Sequence, residues 1–133
     1  MNLARSLTHY CWHCYGVNVR SSGLCTECGQ AIEAPAEASY EDRLIWALGH
    51  PLPGRQMIAA QVLGELREPA AEAPLRTLVN AGDPFLGAQA LRSLIAIVGV
   101  EHLRGLLERL AQTGAPAVSR VALHALRAAK PCV

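Results

Sequence analysis

The stretch Ala59-Ala60-Gln61-Val62-Leu63 returns twice, as Ala90-Leu91-Arg92-Ser93-Leu94 and as Ala122-Leu123-His124-Ala125-Leu126, at spacings of 31 and then 32 residues. A second register runs ahead of it: Leu44, Leu75 and Leu106, each followed four residues later by Leu48, Val79 and Leu110. The two sets are separated by polar or Gly/Pro breaks, Gly49-His50-Pro51-Leu52-Pro53, Asn80-Ala81-Gly82-Asp83-Pro84 and Gln112-Thr113-Gly114-Ala115-Pro116. This spells three copies of one helix-turn-helix unit, at about residues 41–66, 72–98 and 102–128. A fixed period of this size marks a solenoid, in which no unit buries its apolar face alone and stacking builds the core. The expected fold is therefore mainly α, a three-repeat α-solenoid over residues 41–133.

Composition agrees with a packed domain. The chain has 133 residues and 51% hydrophobic content, enough for a core. Aromatics are 5%, as suits helices that pack closely through Ala and Leu. A formal net charge of +1 gives no general attraction to nucleic acid, membrane or acidic substrates, so a partner has to be chosen by a local surface. The N-terminal residues contain no apolar core of secretory-signal length, and the longest apolar run, residues 94–100, is far short of a membrane span. A cytoplasmic location is the expectation.

Ahead of the repeats, residues 31–40 shift to Ala, Glu and Pro and read as a linker. Pro35 disfavours helix in the residue before it, and Ser39 with Asp42 three positions later is a helix start. Residues 1–30 carry Cys11-Trp12-His13-Cys14 and Cys25-Thr26-Glu27-Cys28, two Cys-x-x-Cys pairs. In a reducing compartment that pattern points to metal rather than to disulfides. Each two-residue gap lets a tight turn aim both sulfurs at one ion, and two such pairs close a tetrahedron, so Cys11, Cys14, Cys25 and Cys28 are the expected ligands of one structural Zn2+. The intervening residues, with Val17, Val19 and Leu24, are expected to form a short hairpin and, with Trp12 and Tyr15, its apolar patch. An iron site and a redox dithiol remain alternatives. His9 and His13 read as exposed bystanders, and Arg5, His9, His13 and Arg20 as a thin positive rim. Cys132 has no base near it in sequence and reads as a bystander thiol.

The paired cysteines over about residues 9–30 resemble a zinc ribbon, a four-cysteine β module found in transcription and translation factors and appended to many bacterial proteins. The iron alternative corresponds to a rubredoxin-like electron-transfer site. The pattern Ala59-Ala60-Gln61-Val62-Leu63-Gly64-Glu65-Leu66 followed by Pro69, with Asp83-Pro84 ahead of a later second helix, resembles HEAT repeats, closest to the short bacterial kind described in phycobilisome lyases. One departure concerns the Arg usual early in the second helix, which falls at Gln56, Gly87 and Ser119 and so removes the usual polar ladder between repeats. The resemblance implies a scaffold and a binding surface; lyase activity belongs to a subset and has no support in these residues.

In such a solenoid the second helices line the concave face, and residues one period apart stack into columns. Gln61, Arg92 and His124 make one column, which Glu65, Gln89, Arg120 and Arg127 extend, and all of these except Glu65 are the candidate partner-binding residues. The competing reading makes them the solvated side of amphipathic helices. The third unit has no obvious cap, so its outer face could serve self-association, and the run at residues 94–100 is explained by burial on both sides of a middle repeat. No phosphate loop, His-Glu-x-x-His or Ser/His arrangement nominates a catalytic centre. The function that follows is a non-enzymatic adaptor binding another protein. Nucleic-acid association through the ribbon and the Arg-bearing face is the second reading.

Overall fold

The computed structural model describes residues 8–129. Arg5, Lys130 and Cys132 lie outside the described residues. A two-stranded antiparallel hairpin, β1 (His9–Tyr10) and β2 (Val17–Asn18), is followed by six helices: α1 (Tyr40–Leu48), α2 (Pro53–Leu66), α3 (Glu72–Val79), α4 (Pro84–Val98), α5 (Val100–Thr113) and α6 (Pro116–Ala128). No helix among the described residues is long and apolar enough to cross a membrane.

The helix boundaries follow local chemistry. Ser39 and Asp42 form a reciprocal capping box at α1, each side chain accepting from the other residue's N–H. Asp83 caps α4 through the N–H groups of Phe85 and Leu86, with Pro84 in the first turn. Arg67 takes a left-handed conformation after α2, and a single Gly99 at φ 92° turns the chain from α4 into α5. The third break is shorter than the sequence suggests. Gln112 and Thr113 remain in α5, leaving Gly114 and Ala115 as the turn.

The helices pair as α1/α2, α3/α4 and α5/α6, and the pairs stack through their second helices, α2 on α4 and α4 on α6. The buried core runs through all three pairs, with Leu63, Leu75, Leu91, Leu94, Leu103 and Leu107 fully enclosed. Each contributes about 1.5–3 kcal/mol by leaving water. Small residues set the spacing. A Cβ on Gly64 would lie 2.8 Å from the Cα of Ser93, and the Ser93 hydroxyl donates to the Ala60 carbonyl at 2.6 Å. The α2 and α4 backbones therefore touch.

The position where an Arg ladder is missing does a different task. Gln56 Nε2 donates to the Leu48 carbonyl at 2.8 Å and Ser119 Oγ to the Ala111 carbonyl at 2.8 Å, satisfying the last turns of α1 and α5. In the middle repeat Gly87 lies so close to the Val79 carbonyl that a Cβ would stand 2.9 Å from it. The register thus ties each second helix to the end of its own first helix.

In the third repeat α5 leaves Glu101, His102, Glu108 and Arg109 exposed, and α6 leaves Leu123 37% exposed. One expectation about exposure is corrected: residues 94–100 are not buried on both sides. Leu94 is enclosed, but Ile95 and Val100 are half-buried and line a groove.

Candidate metal centre and the inner helical face

The two Cys-x-x-Cys segments fold into the same turn. In the first, Cys11 N–H donates to the Gly16 carbonyl at 2.9 Å and Tyr15 N–H to the Cys11 carbonyl at 2.9 Å; in the second, Cys25 donates to Gln30 at 2.7 Å and Gly29 to Cys25 at 3.0 Å. Backbone N–H groups then aim at sulfur. His13 donates to Cys11 Sγ at 3.3 Å and Gly16 to Cys14 Sγ at 3.2 Å, matched by Glu27 to Cys25 Sγ at 3.4 Å and Gln30 to Cys28 Sγ at 3.5 Å. Such donors stabilise thiolate. The strands flank the first turn rather than spanning the interval between the pairs, and an isolated Leu24–Ala31 bridge flanks the second. The hairpin expected between the pairs is thus replaced by one small β turn around each.

The four sulfurs lie within 4.8 Å of one another, with Cys11–Cys28 and Cys14–Cys25 at 3.6 Å. Disulfide sulfurs stand at about 2.05 Å, so none of these four thiols is paired with another of the four. Four thiolates at metal bonds of about 2.3 Å around one ion stand roughly 3.8 Å apart, and the cluster fits that arrangement. Cys11 and Cys25 are buried while Cys14 and Cys28 face solvent.

Asn18, which matches no metal-ligand pattern in the sequence, ties the two turns together. It is buried, its Nδ2 donates to the Gly16 carbonyl at 3.1 Å and faces Cys25 Sγ at 3.5 Å, and its Oδ1 accepts from Thr26 N–H at 3.2 Å. The Asn18 amide, with further N–H donors, draws the Cys25 thiol down to about 6. Gly16 N–H acts in the same sense on Cys14, but burial and the neighbouring sulfurs outweigh it and push that thiol up to about 12. Without metal the cluster resists carrying several negative charges at once, so a cation is what allows all four to ionise.

Ala31 and Ile32, assigned to the linker by composition, complete this module. Ile32 packs on Cys11 and Cys25, its N–H donates to Gly23 at 3.0 Å and its carbonyl accepts from Trp12 N–H at 2.9 Å. Val17, Val19 and Leu24, expected to form an internal patch, are exposed. A hairpin with two-residue strands has no interior to hold them.

The apolar contact is made outward instead, onto α1. The rings of Trp12 and Trp46 stack at 5.4 Å, 8° apart, and Trp46 Nε1 donates to the Trp12 carbonyl at 2.8 Å. His50, in the turn after α1, is buried with its ring edge-on to Tyr10 at 4.3 Å and to Trp46 at 5.4 Å. Its Nδ1 accepts from Leu52 N–H at 3.1 Å, while Nε2 has no hydrogen-bond partner. Burial first, and Arg55 second, hold its pKa below the ordinary value of 6.5.

The candidate partner residues fall on the inner layer formed by α2, α4 and α6. Gln61, Gln89 and Arg92 border one shallow groove between α2 and α4, where Gln61 donates to Glu65 at 3.3 Å and Gln89 to Ser93 at 3.2 Å. Arg92, Arg120 and His124 border a second groove, of about 650 Å3, between α4 and α6. Arg127 lines neither. Of the histidines on the ribbon, His13 is exposed and His9 is half-buried in β1, and neither takes a cysteine's place among the four sulfurs.

A family model for HEAT repeats matches residues 41–127. No curated protein matches the chain, and no solved structure does.

Proposed function

Because the chain belongs to the HEAT repeat family, we propose that it is a non-enzymatic adaptor whose inner helical face binds another protein and whose four-cysteine module, holding one Zn2+, braces the first repeat. The observation that carries this is the docking of the cysteine module on α1 through Trp12, Tyr15 and Trp46, which makes the cysteine module a structural member of the solenoid. Cys11, Cys14, Cys25 and Cys28 would hold the ion, and four thiolates leave it no open position for an activated water. That shell supports a structural rather than a catalytic metal. HEAT surfaces commonly mediate protein association, and a cytoplasmic setting would keep the four thiols reduced.

The test is affinity purification of the tagged chain from its native host, with metal analysis of the same sample. One equivalent of zinc and a co-purifying protein released by mutation of the inner face are expected. Recovery of RNA or DNA with no protein would replace this reading by a nucleic-acid one, and a coloured preparation containing iron would replace the metal assignment.

A further inference from the structure

Across the inner layer, Gln61 of the first repeat corresponds by register to Arg92 of the second and His124 of the third, and Glu65 corresponds to Ala96 and Ala128. In the first repeat the pair is closed, because Gln61 donates to Glu65 one turn away. In the other two the carboxylate is replaced by a methyl group. This has two effects. Arg92 has no carboxylate one turn along its own helix, Glu65 of α2 lying across the adjoining groove and making no ion pair with it, and Ala128 lines the groove between α4 and α6.

The floor of that groove is Ile95, Val100, Val121 and Ala125. Its polar contributors are Arg92, Arg120 and His124, and no carboxylate lines it. Among the described residues neither arginine takes part in an ion pair; the two pairs present are Arg76–Glu72 and Arg104–Glu101, both on first helices. Arg92 and Arg120 also border a neighbouring depression with Met57 and with Phe85, which is 71% exposed. An apolar trough flanked by unpaired guanidinium groups and continued by an exposed aromatic ring is thus built from all three repeats.

We infer that this groove takes an apolar, acidic segment of the partner protein, about two helical turns long, with its aliphatic side chains on Ile95 and Val121 and its carboxylates on Arg92 and Arg120. The inference rests on the adaptor reading and specifies the partner's chemistry. A helix laid in a groove presents apolar residues at i, i+3 or i+4 and i+7, and guanidinium forks match carboxylates in two parallel hydrogen bonds. Charge complementarity decides the sign of the partner, since a basic segment would meet two cations and no anion.

The test uses the full chain and random peptides displayed on phage, with counter-selection on the doubly substituted R92E/R120E protein. Enriched peptides are synthesised and titrated by fluorescence anisotropy at low and high salt, with a single-stranded oligonucleotide as competitor. The expected winners carry net negative charge and helically spaced aliphatic residues, weaken about tenfold with either Arg92→Glu or Arg120→Glu, weaken with salt, and are indifferent to Arg109→Glu on α5. Enrichment of basic or uncharged peptides, equal binding to R92E/R120E, or displacement by the oligonucleotide better than by acidic peptides would each overturn it. A native partner retained equally by the wild-type and R92E/R120E proteins would overturn this inference and leave the adaptor reading standing, whereas no retained protein at all would remove both.

Discussion

Tyr15 lies flat on Trp46, ring centroids 5.0 Å apart, and its hydroxyl donates to the backbone carbonyl of that same residue at 2.7 Å. Both the ring and the backbone of one helical residue are therefore held by one residue of the cysteine module. Gly49 allows the approach, since a Cβ there would stand 2.5 Å from the Tyr15 oxygen. The conformation has a cost. Tyr15 sits at φ 61°, the position that Gly29 fills at φ 75° in the second turn. A left-handed conformation costs a residue other than glycine roughly 1–2 kcal/mol, so the strained first turn persists because its side chain gains a docking contact.

Replacing Tyr15 separates those terms. Tyr15→Phe keeps the stacking and removes the hydroxyl, at about 1 kcal/mol of stability. Tyr15→Gly relieves the backbone but removes the contact altogether. Metal content should match that of the wild-type protein in both, while amide exchange around Trp46 and Gly49 accelerates far more in the glycine variant. Loss of metal from the glycine variant would show instead that the tyrosine shapes the metal centre.

Removing the metal should unfold the module and release α1. A module of this size lacks the apolar area to fold alone, and structural zinc supplies on the order of 10 kcal/mol in comparable peptides. Chelation, or the double substitution C11S/C14S, is expected to change tryptophan fluorescence strongly, since Trp12 and Trp46 face each other, and to leave most helical circular dichroism in place. Complete loss of helix on chelation would mean that the solenoid depends on the metal as a whole.

The contact between α2 and α4 is set by Gly64. Gly64→Ala puts a methyl group 2.8 Å from the Ser93 backbone, where no side chain can give way, and should cost about 1–3 kcal/mol in chemical denaturation. Gly54→Ala in the first turn of the same helix meets nothing within 4 Å and should be neutral or stabilising, by up to about 1 kcal/mol. Equal effects at the two positions would show that the helices do not touch.

Acid should loosen the docked end through His50. Its folded pKa lies below the ordinary 6.5, so the fold favours neutral imidazole. Its contribution is full above pH 6.5 and is lost as pH falls through the folded value. Because the thiolates also take up protons in acid, the informative quantity is the difference between the wild-type protein and His50→Asn, which keeps an acceptor for Leu52 N–H. The variant should lose less stability between pH 6.5 and pH 5, measured by denaturation at each pH.

Periodicity carries information about residues that share a helix face or a repeat. The 31 to 32 residue spacing, the capping pair Ser39 and Asp42, and the turn prolines each act within a few residues or between identical units, and all of them could be read from the chain alone. The four cysteines were legible for the same reason, because a two-residue gap fixes how a turn aims its sulfurs. Asn18 was not, since an asparagine in a turn looks the same whether or not its amide bridges two cysteine loops.

The sequence by itself determined the solenoid, its three units and which four thiols gather into one cluster. The tertiary structure alone decided that the cysteine module rests on Trp46 and His50, that Gln56 and Ser119 close the ends of their own first helices, and that Arg92 and Arg120 flank an apolar groove. Local pattern fixes which residues form a helix or a turn. Contacts across a turn, eight positions apart, and between units, some thirty positions apart, depend on how closely two backbones approach, and that distance is set by packing volume at glycines and alanines, which no spacing rule records.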